Sequence, residues 1–344
     1  MSKGPKVIVA GAGALGLVSA LALADAGCAV TVCDPAKGPQ ASAVAAGMLA
    51  PVFEAALDAE TAGDLDLLLA ARNLWPGLAA RAGITVDRSG TAAVGSEAWL
   101  ADIRARLARM GMRGADVPRG MLEDLAPGIS PGLEAVLVRE DWRLEPRPAL
   151  TALRAAAEAA GVQFRPWTVS GRGGADWLVV ATGADPGLLP EAPELSGLSP
   201  IKGQILRLDG AGGGGFSLRG EGCYVVRGAQ GLAIGATMEV GHSDTEIDLI
   251  TLAPLAAAAA RLLPGLAGAA FDAFAGVRAA TADGLPMAGF SAMPGVILAV
   301  GARRNGWLLA PLVAQVVAAC VTGADSGPYA RRFDPGRFES GEAA

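Results

Sequence analysis

The chain has 344 residues, enough for about two domains of ordinary size. Apolar residues make up 52% and charged residues 18%, which excludes a disordered chain and supplies a large core. Lys and Arg number 28 against 34 Asp and Glu; the net charge of −6 argues against nucleic acid and anionic membrane surfaces, which need clustered positive charge.

Lys3 and Lys6 precede an apolar stretch, Val7 to Ala24, that imitates a secretory leader. Gly11, Gly13 and Gly16 punctuate that stretch, and Ala29-Val30-Thr31-Val32-Cys33 follows it, so a strand–turn–helix–strand opening explains it better. Val7–Ala10 is the short apolar run of a strand buried on both faces. Leu17 to Ala26 reads as a helix stopped by Gly27, and the second strand ends at Asp34. In the turn Gly11-Ala12-Gly13-Ala14-Leu15-Gly16 the glycines serve different ends. Gly11 bends the chain, Gly13 admits a pyrophosphate, and Gly16 lets helix pack on strand. The helix N-terminus adds free amides and a dipole that favour phosphate. Asp34, 18 positions after Gly16, is placed to accept hydrogen bonds from ribose hydroxyls and disfavours the 2′-phosphate of NADP. The pattern predicts dinucleotide binding and does not separate FAD from NAD.

Residues 76–145 mix short strands with an amphipathic helix whose Arg104, Arg106, Arg109 and Arg113 read as a solvated face. Pro146 and Pro148 open a helix with an apolar stripe at Leu150, Leu153 and Ala157, ended by Gly161. Trp177–Ala181 is another buried strand, leading into Thr182-Gly183. From 199 to 275, turn-separated runs (Ile201–Leu208, Tyr224–Val226, Leu232–Ile234) predict antiparallel strands. The Gly212–Gly215 run reads as a flexible hairpin tip, since no helix follows it. Val296–Val300 is a third buried strand, leading through Gly301 to a helix from near Asn305 and Gly306. Trp307–Val321 is too short for a bilayer span of ~20 residues, and Pro311 and Gln315 interrupt it.

Cys28, Cys33, Cys223 and Cys320 have no metal-ligand spacing, and the single histidine, His242, removes most zinc and His-dependent triad chemistry. Four reduced thiols fit a soluble, cytoplasmic protein. The expected fold is α/β: a discontinuous Rossmann-type domain (1–75, 146–198, 276–330), an α+β substrate domain with an antiparallel sheet (76–145, 199–275), and a tail from 331 to 344.

Further runs carry a more specific likeness. Ala45-Ala46-Gly47-Met48-Leu49-Ala50-Pro51, Pro200-Ile201-Lys202-Gly203-Gln204, Cys223-Tyr224-Val225-Val226, Gly235-Ala236-Thr237-Met238, Gly276-Val277-Arg278, Asp283-Gly284-Leu285-Pro286 and Arg304-Asn305-Gly306 with Leu308-Leu309-Ala310-Pro311 occur in this order. Together they resemble the D-amino-acid-oxidase family of flavoproteins, most of all the glycine oxidases of the thiamine pathway. The resemblance implies FAD, with Ser42, Ala46, Gly47, Met48, Val169, Thr182, Gly183, Arg278, Arg304, Asn305, Gly306, Trp307 and Leu308 joining the glycine turn and Asp34 around it. It implies that Arg278 captures a substrate carboxylate, the alternative being an ion pair with Asp283 or a strand carboxylate. Tyr224 matches the family's active-site tyrosine, and Met48 and Met238 match residues near flavin and substrate; all three also suit an ordinary core. Arg304 either closes over the substrate or pairs with an acidic surface group.

The implied reaction is oxidation of a small amino acid or amine, with O2 reduced to peroxide and the imine hydrolysed. Sarcosine, proline or a larger D-amino acid, oxidised or dehydrogenated, is the competing substrate reading, and a nucleotide-binding protein without turnover is the non-enzymatic one. A homo-oligomer is left open. Two positions depart from the family: Ala302 stands where many members have histidine, and Ala279 and Ala280 follow Arg278 where proline is common.

Overall fold

The computed structural model describes residues 4–38, 40–210, 216–229 and 231–338. The Gly212–Gly215 run, expected as a hairpin tip, and Lys3 lie outside them.

The opening segment folds as strand Lys6–Ala10, helix Ala14–Asp25 and strand Ala29–Cys33. The helix begins earlier than its apolar periodicity indicates, because the Ser42 hydroxyl accepts from the Ala14 amide at 3.0 Å. In the first sheet the strands lie in the order Met287–Phe290, Val296–Val300, Trp177–Val180, Lys6–Ala10, Ala29–Cys33, Gln163–Arg165. Only the Met287–Phe290 pairing is antiparallel. The inner parallel strands are the apolar runs, as burial of both faces requires, while the edge strand Gln163–Arg165 is polar and largely exposed. Helices Ala14–Asp25, Leu65–Ala82, Pro146–Ala159 and Gly306–Thr322 share one apolar cluster with the sheet, in which Trp75 meets Trp307 at 6.1 Å between ring centroids.

The second sheet is built on the long strand Ser199–Asp209, which pairs along one edge with Asp272–Ala280 and along the other with Gly231–Gly235 and Glu239–Val240. Cys223–Gly228, Ser217–Gly220, Thr91–Gly95, Glu134–Val138 and Ala115–Asp116 continue it. Its pairings are antiparallel except for Ser217–Gly220 on Thr91–Gly95. Helix Leu249–Leu262 packs on it in a separate apolar cluster.

Two of the expected domain cuts fall inside elements: 75/76 within helix Leu65–Ala82, and 275/276 within strand Asp272–Ala280. The segment expected as a tail begins inside helix Ala330–Phe333, and its described part is docked. Phe333 is fully buried, Arg332 pairs with Asp64, and Arg337 pairs with Asp283 at 2.8 Å. The arginine-rich helix is Glu97–Arg109, with Arg104 bound to Glu97 and Asp116 and Arg106 to Asp102, as a solvated face should be; Arg113 lies beyond its end. Cys28, Cys33 and Cys223 are buried, Cys320 is half-buried, and none is bonded to another. No helix among the described residues is long and apolar enough to cross a membrane.

Candidate active site

Two cavities meet at Ala41 and Arg278. The outer one, about 600 Å³, runs along the glycine turn. Gly11, Ala12, Gly13, Ala14, Leu15, Asp34, Ser42, Val169, Thr182, Gly183 and Gly306 line it. Gly16 does not, because it packs against the Gly11 carbonyl, where an added Cβ would sit at 2.1 Å. Gly13 is different: a Cβ there would meet only Ser42 Oγ, at 3.2 Å, so it would project into the cleft. The amides of Gly13 and Leu15 find no acceptor among the described residues and face the same space. Asp34 is held by the amides of Ala12 and Ala36, each at 2.7 Å, which fixes its carboxylate at the end of the second strand. An open Cβ position, unpaired helix N-terminal amides and an acid at the ribose position fit a dinucleotide.

The inner cavity, about 420 Å³, lies between the second sheet and the segments 41–48 and 304–307. Ala46, Gly47, Met48, Tyr224, Met238, Arg304, Asn305 and Trp307 line it, with Arg278. Leu308 is buried in the apolar cluster and contributes only backbone to this end of its helix. The Gly306, Trp307 and Leu308 amides have no acceptor among the described residues, so the positive end of helix Gly306–Thr322 faces the junction of the cavities.

Arg278 has no carboxylate partner among the described residues. Asp283, the partner expected for a purely structural role, is taken by Arg337. The Arg278 guanidinium instead donates to the Thr237 carbonyl at 3.3 Å and contacts Met238 Sδ at 3.2 Å. Burial pushes its pKa below the ordinary arginine value. Gly203 makes its position possible, since a Cβ there would lie 2.2 Å from Nη2. Tyr224 is buried with its hydroxyl free among the described residues, and Gly235 makes room for it, a Cβ there falling 2.1 Å from that oxygen. Burial raises the phenol's pKa and keeps it protonated, a donor.

The sequence reading missed a charged chain beside these groups. Buried Glu54 accepts from Arg219 at 2.6 Å and pairs with Arg304 at 2.9 Å; Asp58 binds Arg304 at 3.3 Å and also Arg303. Burial opposes the charged form of Glu54, but Arg304, Arg219 and Arg303 outweigh it and hold the carboxyl below its usual range. Arg304 therefore pairs with acids, but with the buried Glu54 and Asp58 and not with the surface group expected. Behind Glu54 lies Asp141, fully buried, accepting from the amides of Val52 at 2.8 Å and Phe53 at 3.0 Å; burial pushes it up to about 7. Ala302 is buried beside Ala280 and brings no polar side chain to the cleft. His242 is exposed, 3.7 Å from Asp244. No cluster of metal-ligating side chains occurs among the described residues.

The family of FAD dependent oxidoreductases denoted DAO matches residues 6–320, and the chain belongs to that family. It is an FAD-dependent oxidoreductase. It is 27% identical to the glycine oxidase of Pseudomonas putida, over 96% of this chain and 98% of that one. It is 30% identical to the bifunctional protein ThiO/ThiG of Synechocystis over 58% of this chain, and 32% identical to the tRNA 5-methylaminomethyl-2-thiouridine biosynthesis bifunctional protein MnmC of Caulobacter vibrioides, also over 58%. The match spans 34% of the length of each of these two larger proteins. In fold it is similar to the crystal structure of glycine oxidase from Geobacillus kaustophilus, with a TM-score of 0.81 over 97% of this chain and 99% of that one at 24% identity.

Proposed function

We propose that the protein oxidises a small, glycine-like amino acid at the junction of the two cavities. One observation carries this reading: Arg278 is a half-buried guanidinium with no counter-ion among the described residues, facing a cavity next to the nucleotide cleft. A carboxylate supplies the missing charge and accepts two parallel hydrogen bonds from the guanidinium fork. The free hydroxyl of Tyr224 is a third donor on the same wall. Met48 and Met238 bound the space beside them with apolar surface, which suits a short substrate. When bound, the flavin supplies the acceptor for the hydride leaving the substrate carbon and passes the electrons to O2 as peroxide.

The chain's own residues bind, orient and set charge. Glu54, the nearest acid to Arg304, is held ionised by two arginines and is not free to take a proton. On this reading the amine binds neutral, having left its proton in solvent, so the hydride transfer requires no side-chain base. The Gly306–Leu308 amides, unpaired among the described residues at the junction of the cavities, would help hold the flavin and would favour negative charge on it. The product imine is hydrolysed to an oxo acid and ammonia, or is used directly in thiazole synthesis.

Anaerobic titration with glycine, sarcosine and D-alanine tests the substrate, with peroxide assayed in air. A flavin bleached by none of them overturns the reading. Arg278→Ala removes two charge-assisted hydrogen bonds worth about 1.5–3 kcal/mol each, a loss of about 10²–10⁴ in kcat/KM with flavin retained. Turnover of glycine at the wild-type rate in that variant would remove Arg278 from the site.

A further inference from the structure

In the run Pro200-Ile201-Lys202-Gly203-Gln204, Gly203 makes room for Arg278, while Lys202 and Gln204 have no part in the chemistry above, yet Gln204 is fully buried and Lys202 is 4% exposed. Side chains alternate along the strand, so Gly203 shares the cavity face with Arg278, while Lys202 and Gln204 point to the other face. Arg278 comes from the neighbouring strand and crosses over Gly203 to reach the Thr237 carbonyl and Met238 Sδ on the far edge. Those two anchors belong to the segment 236–248, which links strand Gly231–Gly235 to helix Leu249–Leu262.

On the reverse face Gln204 spends every polar group on that segment. Its amide donates to Thr237 Oγ1 at 2.8 Å, and its carbonyl accepts from the Thr237 amide at 3.1 Å. Its Nε2 donates to Glu239 Oε1 at 2.9 Å, and its Oε1 accepts from the Asp248 amide at 2.8 Å. Lys202 Nζ adds Asp244 at 2.6 Å, with Glu239 at 3.9 Å. One side chain thus fastens both ends of the segment, and the lysine fastens its middle. The held segment brings Met238 to the inner cavity and Ser243 and Thr245 to the nucleotide cleft.

We propose that Gln204 and Lys202 are positioning residues that hold the segment 236–248 across both cavities, so that Thr237 and Met238 fix the Arg278 guanidinium for carboxylate capture. The proposal rests on the role given to Arg278 above. A long side chain with no carboxylate to orient it keeps its rotamer freedom unless other groups remove it, and capture then has to order it first. Thr237 and Met238 do that ordering, and they stay in place because Gln204 does.

The test uses the holoenzyme with Gln204→Glu, Glu239→Gln and the double variant. Gln204→Glu sets a carboxylate against Glu239 where an N–H now donates; the double variant restores a donor–acceptor pair with the roles exchanged. Binding of acetate, a carboxylate without an amine, is read from the shift of the flavin's visible spectrum, alongside KM and kcat for glycine. The expected result is a Gln204→Glu enzyme with full flavin content, an acetate Kd and glycine KM raised at least tenfold, and kcat within threefold of wild type. The double variant returns both binding constants to within threefold. Lys202→Met raises the acetate Kd in the same direction. An acetate Kd unmoved by Gln204→Glu, or raised but not recovered in the double variant, overturns the proposal. If Gln204→Glu does not retain flavin, Gln204→Met, of similar length without either polar atom, is read against the same thresholds. Arg278→Ala separates the two layers: an acetate Kd unchanged there defeats the role of Arg278 itself, while loss there with no effect at Gln204 defeats only the positioning.

Discussion

A Cβ at Gly11 would sit 2.3 Å from the Ala181 carbonyl, and one at Gly16 would sit 2.1 Å from the carbonyl of Gly11, so both glycines are required by the chain's own backbone. Gly13 has φ of −76° and no backbone neighbour within reach of a Cβ. Its requirement comes from what the cleft holds. Gly16→Val is therefore expected to lose the fold, while Gly13→Val gives a folded, colourless protein. Far-UV circular dichroism and the ratio of visible to ultraviolet absorbance check this; full flavin occupancy in Gly13→Val would contradict it. The turn was legible in the sequence because its signals are local: three glycines, a strand before, a helix after, and an acid at the end of the next strand. Glu54, Asp58 and Arg219 were not, because their pairing is set by tertiary structure. Glu54 meets Arg219 across 165 positions and Arg304 across 250, and nothing in the local pattern around Val52-Phe53-Glu54 marks a buried charge.

The short helix Pro51–Leu57 carries the acid of that network, and its first two free amides end on Asp141. The two carboxyls titrate in opposite senses. Glu54 has a lowered pKa in the folded protein, so its contribution is present above its ordinary value of 4.5 and lost as pH falls through the folded value. Glu54→Gln strands Arg219 without its partner and is expected to cost about 3–5 kcal/mol at pH 7. The gap from wild type should close as the pH falls below 4.5; a gap that stays constant in urea titrations down to pH 3 would count against the network. Asp141 is the reverse case, raised from 3.8 to about 7, so the folded state holds its proton longer than the unfolded chain and stability falls as pH rises between those values. Asp141→Asn keeps an acceptor for one amide and has no proton to lose. Between pH 5 and 7 the wild type should lose on the order of 2 kcal/mol relative to this variant, since each tenfold difference in proton affinity is worth ~1.4 kcal/mol. Parallel stability curves for the two proteins would rule that out. Helices Ala14–Asp25, Pro146–Ala159 and Gly306–Thr322 were readable from periodicity and proline or glycine punctuation, whereas Leu65–Ala82 and Leu249–Leu262, each with a proline inside, were not read, and a helix of one or two turns has no period to read. Its existence here depends on a carboxylate supplied from the turn before strand Trp142–Leu144.

The alternation of buried apolar runs with helices located the parallel sheet correctly, and turn-separated runs located the second one. The joins between them were harder to read, because the elements at the boundary serve both sides. Helix Leu65–Ala82 continues past Trp75, which packs on Trp307, and strand Asp272–Ala280 pairs along the long strand of the second sheet while its end brings Val277, Arg278 and Ala279 to the nucleotide cleft. Phe333 likewise fastens the last described segment to the first sheet's cluster, and no composition change announces it. The cleft is thus walled by both halves of the molecule, and a dinucleotide lying in it bridges them. Ligand that binds only the folded state stabilises it in proportion to the logarithm of its excess, about 2.7 kcal/mol at a hundredfold excess over Kd. For a chain of this size that corresponds to a change in Tm of about 5 °C, at ~2 °C per kcal/mol. Stripping the flavin should lower Tm by that amount and quicken proteolysis in the segment 236–248, whose Ser243 and Thr245 face the cleft. FAD should restore both properties, and riboflavin at the same concentration should not, because it has no pyrophosphate or adenosine to engage the glycine turn. Recovery with riboflavin alone would place the stabilising contacts at the inner cavity, and an unchanged Tm on stripping would mean that the two halves hold together without the cofactor.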